Sequence, residues 1–561
     1  MYFILSTLWF IREIKSTLFW LYLWQLKEYH IGRFIDHFRT EKGKKLLLNK
    51  LLILKIVFLI TFISLISWRW LLFYGVFFIY FLEVVKRFFD FFKKRLIKPI
   101  FTKKIIFLTL INLAFLIFYL LIFFQREILI FWLLVFDILT PAIVSGIVLV
   151  FQPFTALLRN QIIKKAKKRR GHFKNLLVIG ITGSYGKTSA KEFLYTILAD
   201  KFGEDKVLKT KEHQNSEVGI SQCILNDLKP EHDIFIVEMG AYNRGGIKLL
   251  CDIVKPKIGI VTGVNEQHLA TFGSMENLLS AEGGEELIDS LPKDGLAIFN
   301  GNNKYSLELY KKTKIKKKIC HNNFLTAVEN VLSADIWSQD VKVEKEFVSF
   351  KVLSKDGDFA DFKVNLLGAQ NVENILLATC CAKELGMNLK EISNACEKIK
   401  PEQGGMKLIK TKNGLNIIDS TYSANPDGVI SHLEYLKIWP GQTLRQAQCK
   451  KVIAMPCLIE LGKASKEVHK RIGKKIGEVC APVKEPSGSN GTPSGLAIIT
   501  TKDKFKEIRD GSTGSPQGGA EILFIEDSKK IVEKIKNFTK PNDIVLLEGR
   551  IPREVIKLLS D

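Results

Sequence analysis

Cysteine is scarce in this chain. There are nine in 561 residues, with no C-x-x-C pair and no histidine at metal-ligand spacing. That excludes a disulfide framework and a structural zinc site, and leaves reduced thiols; Cys380 and Cys381 are neighbours in a helical stretch. No repeat of solenoid period occurs, which excludes a stacked-repeat architecture. Negative charge is scarce in the first third. Residues 1–175 hold 8 Asp and Glu against 28 Lys and Arg, and the remainder holds 50 against 54. Nearly all of the net charge of +24 therefore sits at one end. That third also carries long uncharged Phe, Leu and Ile runs, so a soluble nucleic-acid-binding domain is excluded and a membrane is the expected partner. No small-residue cleavage site follows the apolar residues 1–25, so they are not a signal peptide. With Arg12, Glu13 and Lys15 in mid-run they read as an interfacial helix.

What the first third does have is spans. Ile105 to Phe124 is uncharged and long enough to cross a bilayer. Ile128 to Phe151 is another span, interrupted by Asp137 and Pro141. Leu51 to Val85 is too long for one span and is split near Trp68-Arg69-Trp70, which makes four in all. Asp137 is expected to pair within the bundle. Residues 86–104 and 159–174 are dense in Lys and Arg, while only Gln125-Arg126-Glu127 separates the last two spans. The excess of positive charge on cytoplasmic loops predicts a multi-pass protein of the plasma (inner) membrane, with both termini and everything after residue 175 in the cytoplasm.

The rest of the chain is organised around residues 176–190. Leu176 to Ile181 reads as a buried parallel strand. It breaks into Thr182, Gly183, Ser184, Tyr185, Gly186, Lys187 and Thr188, and a helical pattern starts at Ser189. Glycines let backbone N–H groups approach an anion, and a helix N-terminus adds positive partial charge. Lys187 is placed to reach nucleotide phosphates and Thr188 to ligate Mg²⁺. The spacing is G-x-x-G-K-T from Gly183, because Ile181 stands where a more usual first glycine would. Further on, His232 to Gly240 reads as a strand ending in Glu238, and Lys257 to Gly263 as a strand followed by His268. In a parallel sheet both would gather at the carboxyl ends with the phosphate loop. A hard carboxylate such as Glu238 suits Mg²⁺.

Seven elements in order make residues 175–561 resemble the Mur ligases, the ATP-dependent amide-bond-forming enzymes of peptidoglycan synthesis. They are Gly183 to Thr188; Asn215-Ser-Glu-Val-Gly219; Glu238-Met-Gly240; His268-Leu269; Gly368-Ala-Gln370-Asn371-Val-Glu-Asn374; Asp419 to Pro426; and Glu460-Leu-Gly462 with His469. The resemblance is greatest to the branch that adds D-alanyl-D-alanine. It implies ATP bound by residues 182–189, with Lys187 on the γ-phosphate, Thr188 and Glu238 on one Mg²⁺, and His268 on a second. It implies Asn371, Asn374 and Asp419 on the nucleoside, and Asn215, Tyr422 and Asn425 towards substrate. The partners implied are a muramoyl-peptide or other carboxylate acceptor, UDP-linked or lipid-linked, and an amine donor such as D-alanyl-D-alanine.

Four departures accompany the resemblance. Gly284 falls where a carbamylated lysine is usual, with Glu282 or Glu285 as substitute carboxylates three apart on one helix face. Gly405 replaces an arginine. Gln370 replaces a histidine. Ser420 and Ser423 replace an acid and an asparagine. The family's first domain has no counterpart. The expected architecture is an α-helical membrane region (1–175), a phosphate-loop parallel-sheet ATP-binding α/β domain (176–402) and a Rossmann-like αβ domain (403–561). Low-complexity insertions are expected at 441–450, 485–495 and 510–520. Two other functions stay open: a membrane ligase of poly-γ-glutamyl or another peptide polymer, and a nucleotide-binding membrane protein without turnover.

Overall fold

The computed structural model describes residues 2–64, 69–93, 97–124, 128–212, 214–323, 334–422, 424–437, 439, 449–481, 495–513 and 520–560. The chain forms two compact units, Met1–Gln161 and Ile162–Asp561.

The first unit is a helical bundle. Its main helices are Tyr2–Leu26, Lys50–Ser64, Arg69–Phe92, Lys103–Phe123 and the start of Leu129–Gly171. Three stretches are long and apolar enough to cross a membrane: Glu41–Ser64, Lys103–Phe123 and Leu129–Gly171. These three candidate spans suggest membrane association. The fourth expected span, Arg69–Phe92, is not among them, because Glu83, Lys86, Arg87 and Asp90 crowd its second half. The interfacial first helix is also corrected. Tyr2–Leu26 buries Leu5, Trp9, Leu21 and Trp24 within the bundle. Two of its three mid-run charges, Arg12 and Glu13, face inwards because partners await them there. Arg12 pairs with Glu13, with Glu83 at 3.1 Å and with Asp137 at 2.5 Å. Lys55 reaches Glu83 at 2.6 Å and Asp137 at 2.8 Å, and Thr140 donates to Glu13 at 2.7 Å. Asp137 thus pairs within the bundle, as expected.

Removing one partner from such a buried network leaves the others uncompensated, at a cost of about 3–5 kcal/mol. Asp137→Ala is therefore expected to lower the melting temperature of the detergent-solubilised protein by several degrees. An unchanged melting curve would mean that the network holds nothing together.

The second unit contains two sheets. The first has nine strands in the order β2-β3-β1-β4-β5-β6-β7-β8-β9. They are β1 Leu177–Thr182, β2 Val207–Lys209, β3 Ile234–Glu238, β4 Ile258–Val261, β5 Leu296–Asn300, β6 Lys316–Asn322, β7 Ile336–Val343, β8 Val348–Ser354 and β9 Phe359–Val364. Strands β2 to β7 pair in parallel, and β8 and β9 add an antiparallel end. Alternate residues of β1 feed two cores. Ile179 and Ile181 pack with Phe193, Leu194 and Ile375 on one face; Val178 packs with Phe235 and Phe299 on the other. Burial on both faces explains the near-continuous apolar run.

The second sheet has the order β10-β11-β15-β12-β13-β14, with only β10 antiparallel. Its strands are β10 Lys407–Lys410, β11 Asn416–Ser420, β12 Lys451–Met455, β13 Gly495–Ile499, β14 Glu521–Phe524 and β15 Ile544–Glu548. This is the expected Rossmann-like αβ layer. The low-complexity stretches lie almost wholly outside the described residues; of them, Asp510–Thr513 completes the helix Phe505–Thr513.

Candidate active site

The phosphate loop links β1 to the helix Lys187–Phe202. Two glycines are required there by conformation and by space. Gly183 has φ +145 and Gly186, the helix N-cap, φ +76. A Cβ on Gly183 would meet the Thr262 hydroxyl at 2.0 Å, and one on Gly186 would meet Asn374 Oδ1 at 2.4 Å. The Thr262 hydroxyl bonds the Tyr185 carbonyl and so fixes the loop to the end of β4. Among the described residues the buried Thr182 and Ser184 hydroxyls have no hydrogen-bond partner. Buried polar groups are rarely left unpaired, so this concave loop fits an anion rich in acceptor oxygens.

Glu238 ends β3 beside the loop, which follows from the β1–β3 pairing Ile181 with Glu238. Its carboxylate accepts from Asn215 Nδ2 at 3.2 Å and from Lys191 Nζ at 3.2 Å. Lys191 is fully buried and was missed from the sequence. The signal was available: it lies four residues after Lys187, on the same helix face.

From the loop a line of side chains runs outward. Lys187 Nζ donates to the Gly183 carbonyl and lies 3.5 Å from Glu282 Oε1. Glu282 Oε2 lies 3.1 Å from His268 Nδ1, and His268 Nε2 lies 3.9 Å from Glu460 Oε2. His268 sits at φ +66 just before a short helix, an orientation rare for a non-glycine residue. Glu282 is buried. Burial alone would push its carboxyl up; Lys187 and then His268 outweigh that and hold it below the usual carboxylate range. The continuous helix expected over residues 280–286 is not observed. The helix Met275–Ser280 stops, and Glu285–Asp289 starts again after Gly284, its N-cap at φ +98. Glu282 and Glu285 therefore do not share a face, and only Glu282 joins the line. A Cβ on Gly284 would run into Val261 at 2.6 Å.

The second sheet closes over this centre. Asn265 Nδ2 donates to Asn425 Oδ1 and Asp427 Oδ2, each at 3.0 Å, and Arg471 meets Glu266 at 3.3 Å. Asn371 bonds the Leu367 carbonyl at 3.1 Å, and Asn374 faces Gly186. Asp419 accepts from the Thr421 backbone N–H and hydroxyl, lining a cleft with Tyr422. His469, matched to a family element, is wholly interior and accepts from the Leu458 N–H.

Glu373 was also missed. Asn300 Nδ2 donates to it at 2.6 Å. Burial pushes its carboxyl up to about 7, with Asp427 adding to the shift. A carboxyl whose pKa rises on folding binds its proton more tightly in the folded state. The stability it contributes falls as pH rises from about 4.5 to about 7 and stays lowered above. Glu373→Gln is thus expected to raise the melting temperature at pH 8 and to bring no gain near pH 4.5. An equal difference at both pH values would sink this assignment.

A phosphate loop opening a helix, with a carboxylate and a histidine beyond the carboxyl ends of the two parallel strands that flank β1, is the arrangement of a nucleotide-dependent enzyme of the α/β class. Residues 181–382 match the Mur ligase middle domain. The UDP-N-acetylmuramoyl-tripeptide--D-alanyl-D-alanine ligase of Synechocystis sp. is 27% identical over 372 residues, spanning 66% of this chain and 71% of that protein. The ligase of the same description from Bacillus subtilis is 28% identical over 301 residues, spanning 53% of this chain and 60% of that one. The MurF ligase of Thermotoga maritima, solved in complex with ADP, shares the fold at TM-score 0.56 and 23% identity, over 72% of this chain and 83% of that one. Residues 181–382 thus carry a Mur ligase middle domain, and over most of both sheets the chain is similar to ATP-dependent ligases of that type.

Proposed function

We propose that this ligase joins the carboxylate of a muramoyl-peptide precursor to the amine of D-alanyl-D-alanine, the substrates that its relatives' names carry. The observation behind this reading is the line Lys187–Glu282–His268, which leads from the phosphate loop to the mouth between the two sheets.

A carboxylate is a poor electrophile. Transfer of the γ-phosphoryl group from ATP to a carboxylate oxygen gives an acyl phosphate and ADP. The amine then attacks the carbonyl carbon, phosphate departs with the C–O electron pair, and the amine loses a proton. In this scheme the buried hydroxyls of Thr182 and Ser184 and the loop amides hold the phosphates. Lys187 offsets the charge that builds where phosphate meets carboxylate. Asn371, Asn374 and Asp419 hold the nucleoside, and Asn215, Tyr422 and Asn425 face the substrates. Among the described residues no three His, Cys, Asp or Glu side chains could hold a metal ion by themselves. Mg²⁺ would thus rest largely on the nucleotide's own oxygens, as that ion commonly does, with Thr188 and Glu238 for one ion and His268 and Glu282 for a second. Bound there, it would supply positive charge to the phosphates. Contacts such as Asn265 to Asn425 would hold the second sheet down and keep water from the acyl phosphate.

The three candidate spans would keep the ligase at a membrane, which supports an acceptor that is lipid-linked rather than UDP-linked. The test is ADP release by the purified full-length protein, offered both forms of the precursor with a panel of amines. Release that requires D-alanyl-D-alanine and is faster with the lipid-linked form is expected. Release driven by other amines alone, glutamate for example, would replace the donor. Equal rates with both precursors would remove the lipid preference.

A further inference from the structure

The buried charges of the first unit do not balance. Arg12 and Lys55 supply two positive charges, while Glu13, Glu83 and Asp137 supply three negative ones when ionised. Among the described residues Glu83 and Asp137 each pair with both cations, and Glu13 pairs with Arg12 alone. The Glu13 side chain is 0% exposed, so water does little for its charge. Lys15, Lys86, Arg87 and Asp90 stand at the partly exposed margin beyond Glu83, and among the described residues none of them pairs with Glu13 or Asp137. The Thr140 hydroxyl lies 2.7 Å from Glu13 Oε2 and 2.9 Å from the Phe136 carbonyl. Tyr80 lies against Lys55, whose Nζ is 5.3 Å from its ring centroid. The Tyr80 hydroxyl is wholly buried, has no hydrogen-bond partner among the described residues and is within electrostatic reach of all three carboxylates. The cluster is thus one positive charge short and holds one unused donor.

We propose that this cluster is a proton-binding site inside the helical bundle, in which Glu13 takes one proton from water while Arg12 and Lys55 hold Glu83 and Asp137 ionised. One proton brings the buried charge to zero, and a buried net charge is what an apolar interior penalises most. Glu13 is the carboxylate with the fewest cations, so the proton costs least there. The Thr140 hydroxyl serves both states with its single hydrogen. It donates to Glu13 when the carboxylate is ionised. When Glu13 Oε2 carries the proton, the carboxyl donates to the hydroxyl and the hydroxyl turns to the Phe136 carbonyl, with no heavy atom displaced.

The test is the infrared C=O band of protonated carboxylic acids, recorded on the full-length protein in detergent at pH 8, where ordinary carboxyls are ionised. No turnover is needed, so the result is independent of the ligase reading. A band is expected in wild type that is lost in Glu13→Gln, shifted in Thr140→Val and left in place in Glu373→Gln, whose carboxyl belongs to the other unit. Glu13→Gln is also expected to keep its melting temperature, because the amide copies the uncharged acid, in contrast to Asp137→Ala. Should Glu13→Gln fail to fold, the near-isosteric Thr140→Val decides: a shifted band upholds the site, and an unmoved band removes Glu13 from it. Matching carboxylic bands in wild type and Glu13→Gln would overturn the proposal. So would a melting temperature raised by Na⁺ but not by K⁺ at equal ionic strength without any such band, which would put a metal cation where the proton is placed here.

Discussion

Lys187→Ala is expected to lower ADP release by ~10³-fold, the upper end of what removing one charge-stabilising group costs. The lysine is the first residue of its helix, and its amine points back into the loop towards the Gly183 carbonyl and Glu282. The side chains that hold this helix to the sheet are Phe193, Leu194 and Ile197, further along. The substitution should therefore spare the fold, and the circular dichroism spectrum should not change. It should also release Glu282 from its nearest cation. With burial no longer offset from that side, the carboxyl should rise, so any residual activity should move its acid limb to higher pH. ADP release near the wild-type rate would take Lys187 out of the reaction.

Parts of this site were legible because they are local. The two glycines, Lys187 and Thr188 stand within six residues, and a run of apolar residues before them names the strand. Glu238 was legible because its strand stops at it. What escaped was set by distant pairing. Lys191, next to Glu192 on a helix, reads as solvated until β3 brings Glu238 beside it. Glu460 meets His268 across almost two hundred residues of chain. The first helix looked interfacial for the same reason: Lys55, Glu83 and Asp137, which receive Arg12 directly or through shared contacts, come from three other helices. The antiparallel end of the first sheet was legible in principle. Val348–Ser354 and Phe359–Val364 bury every second residue, the period-two pattern of a strand with one wet face. The pair Glu282 and Glu285 was misread because spacing by three implies a shared face only in an unbroken helix, and Gly283-Gly284 break this one.

That break gives the second large effect a direction. Glu282→Gln is expected to reduce turnover by ~10²-fold or more, while Glu285→Gln leaves it near wild type. The buried Glu282 carboxylate touches both Lys187 and His268. Glutamine keeps the shape and one acceptor oxygen but removes the charge, so packing should survive. The single amide oxygen could accept from Lys187 or from His268 but not from both, and the Lys187 ammonium would lose the carboxylate that balances it in a buried setting. ATP binding should change little, because the loop hydroxyls, the loop amides and Glu238 are untouched. If Glu282 also holds a second Mg²⁺, the Mg²⁺ concentration for half-maximal rate should rise in Glu282→Gln and fall back in Glu282→Asp. Added bicarbonate should do nothing to the wild type, because residue 282 already carries a carboxylate and Gly284 has no amine to modify. Wild-type turnover in Glu282→Gln across a range of Mg²⁺ would make Glu282 a structural partner of Lys187 and leave any second ion to His268 and water.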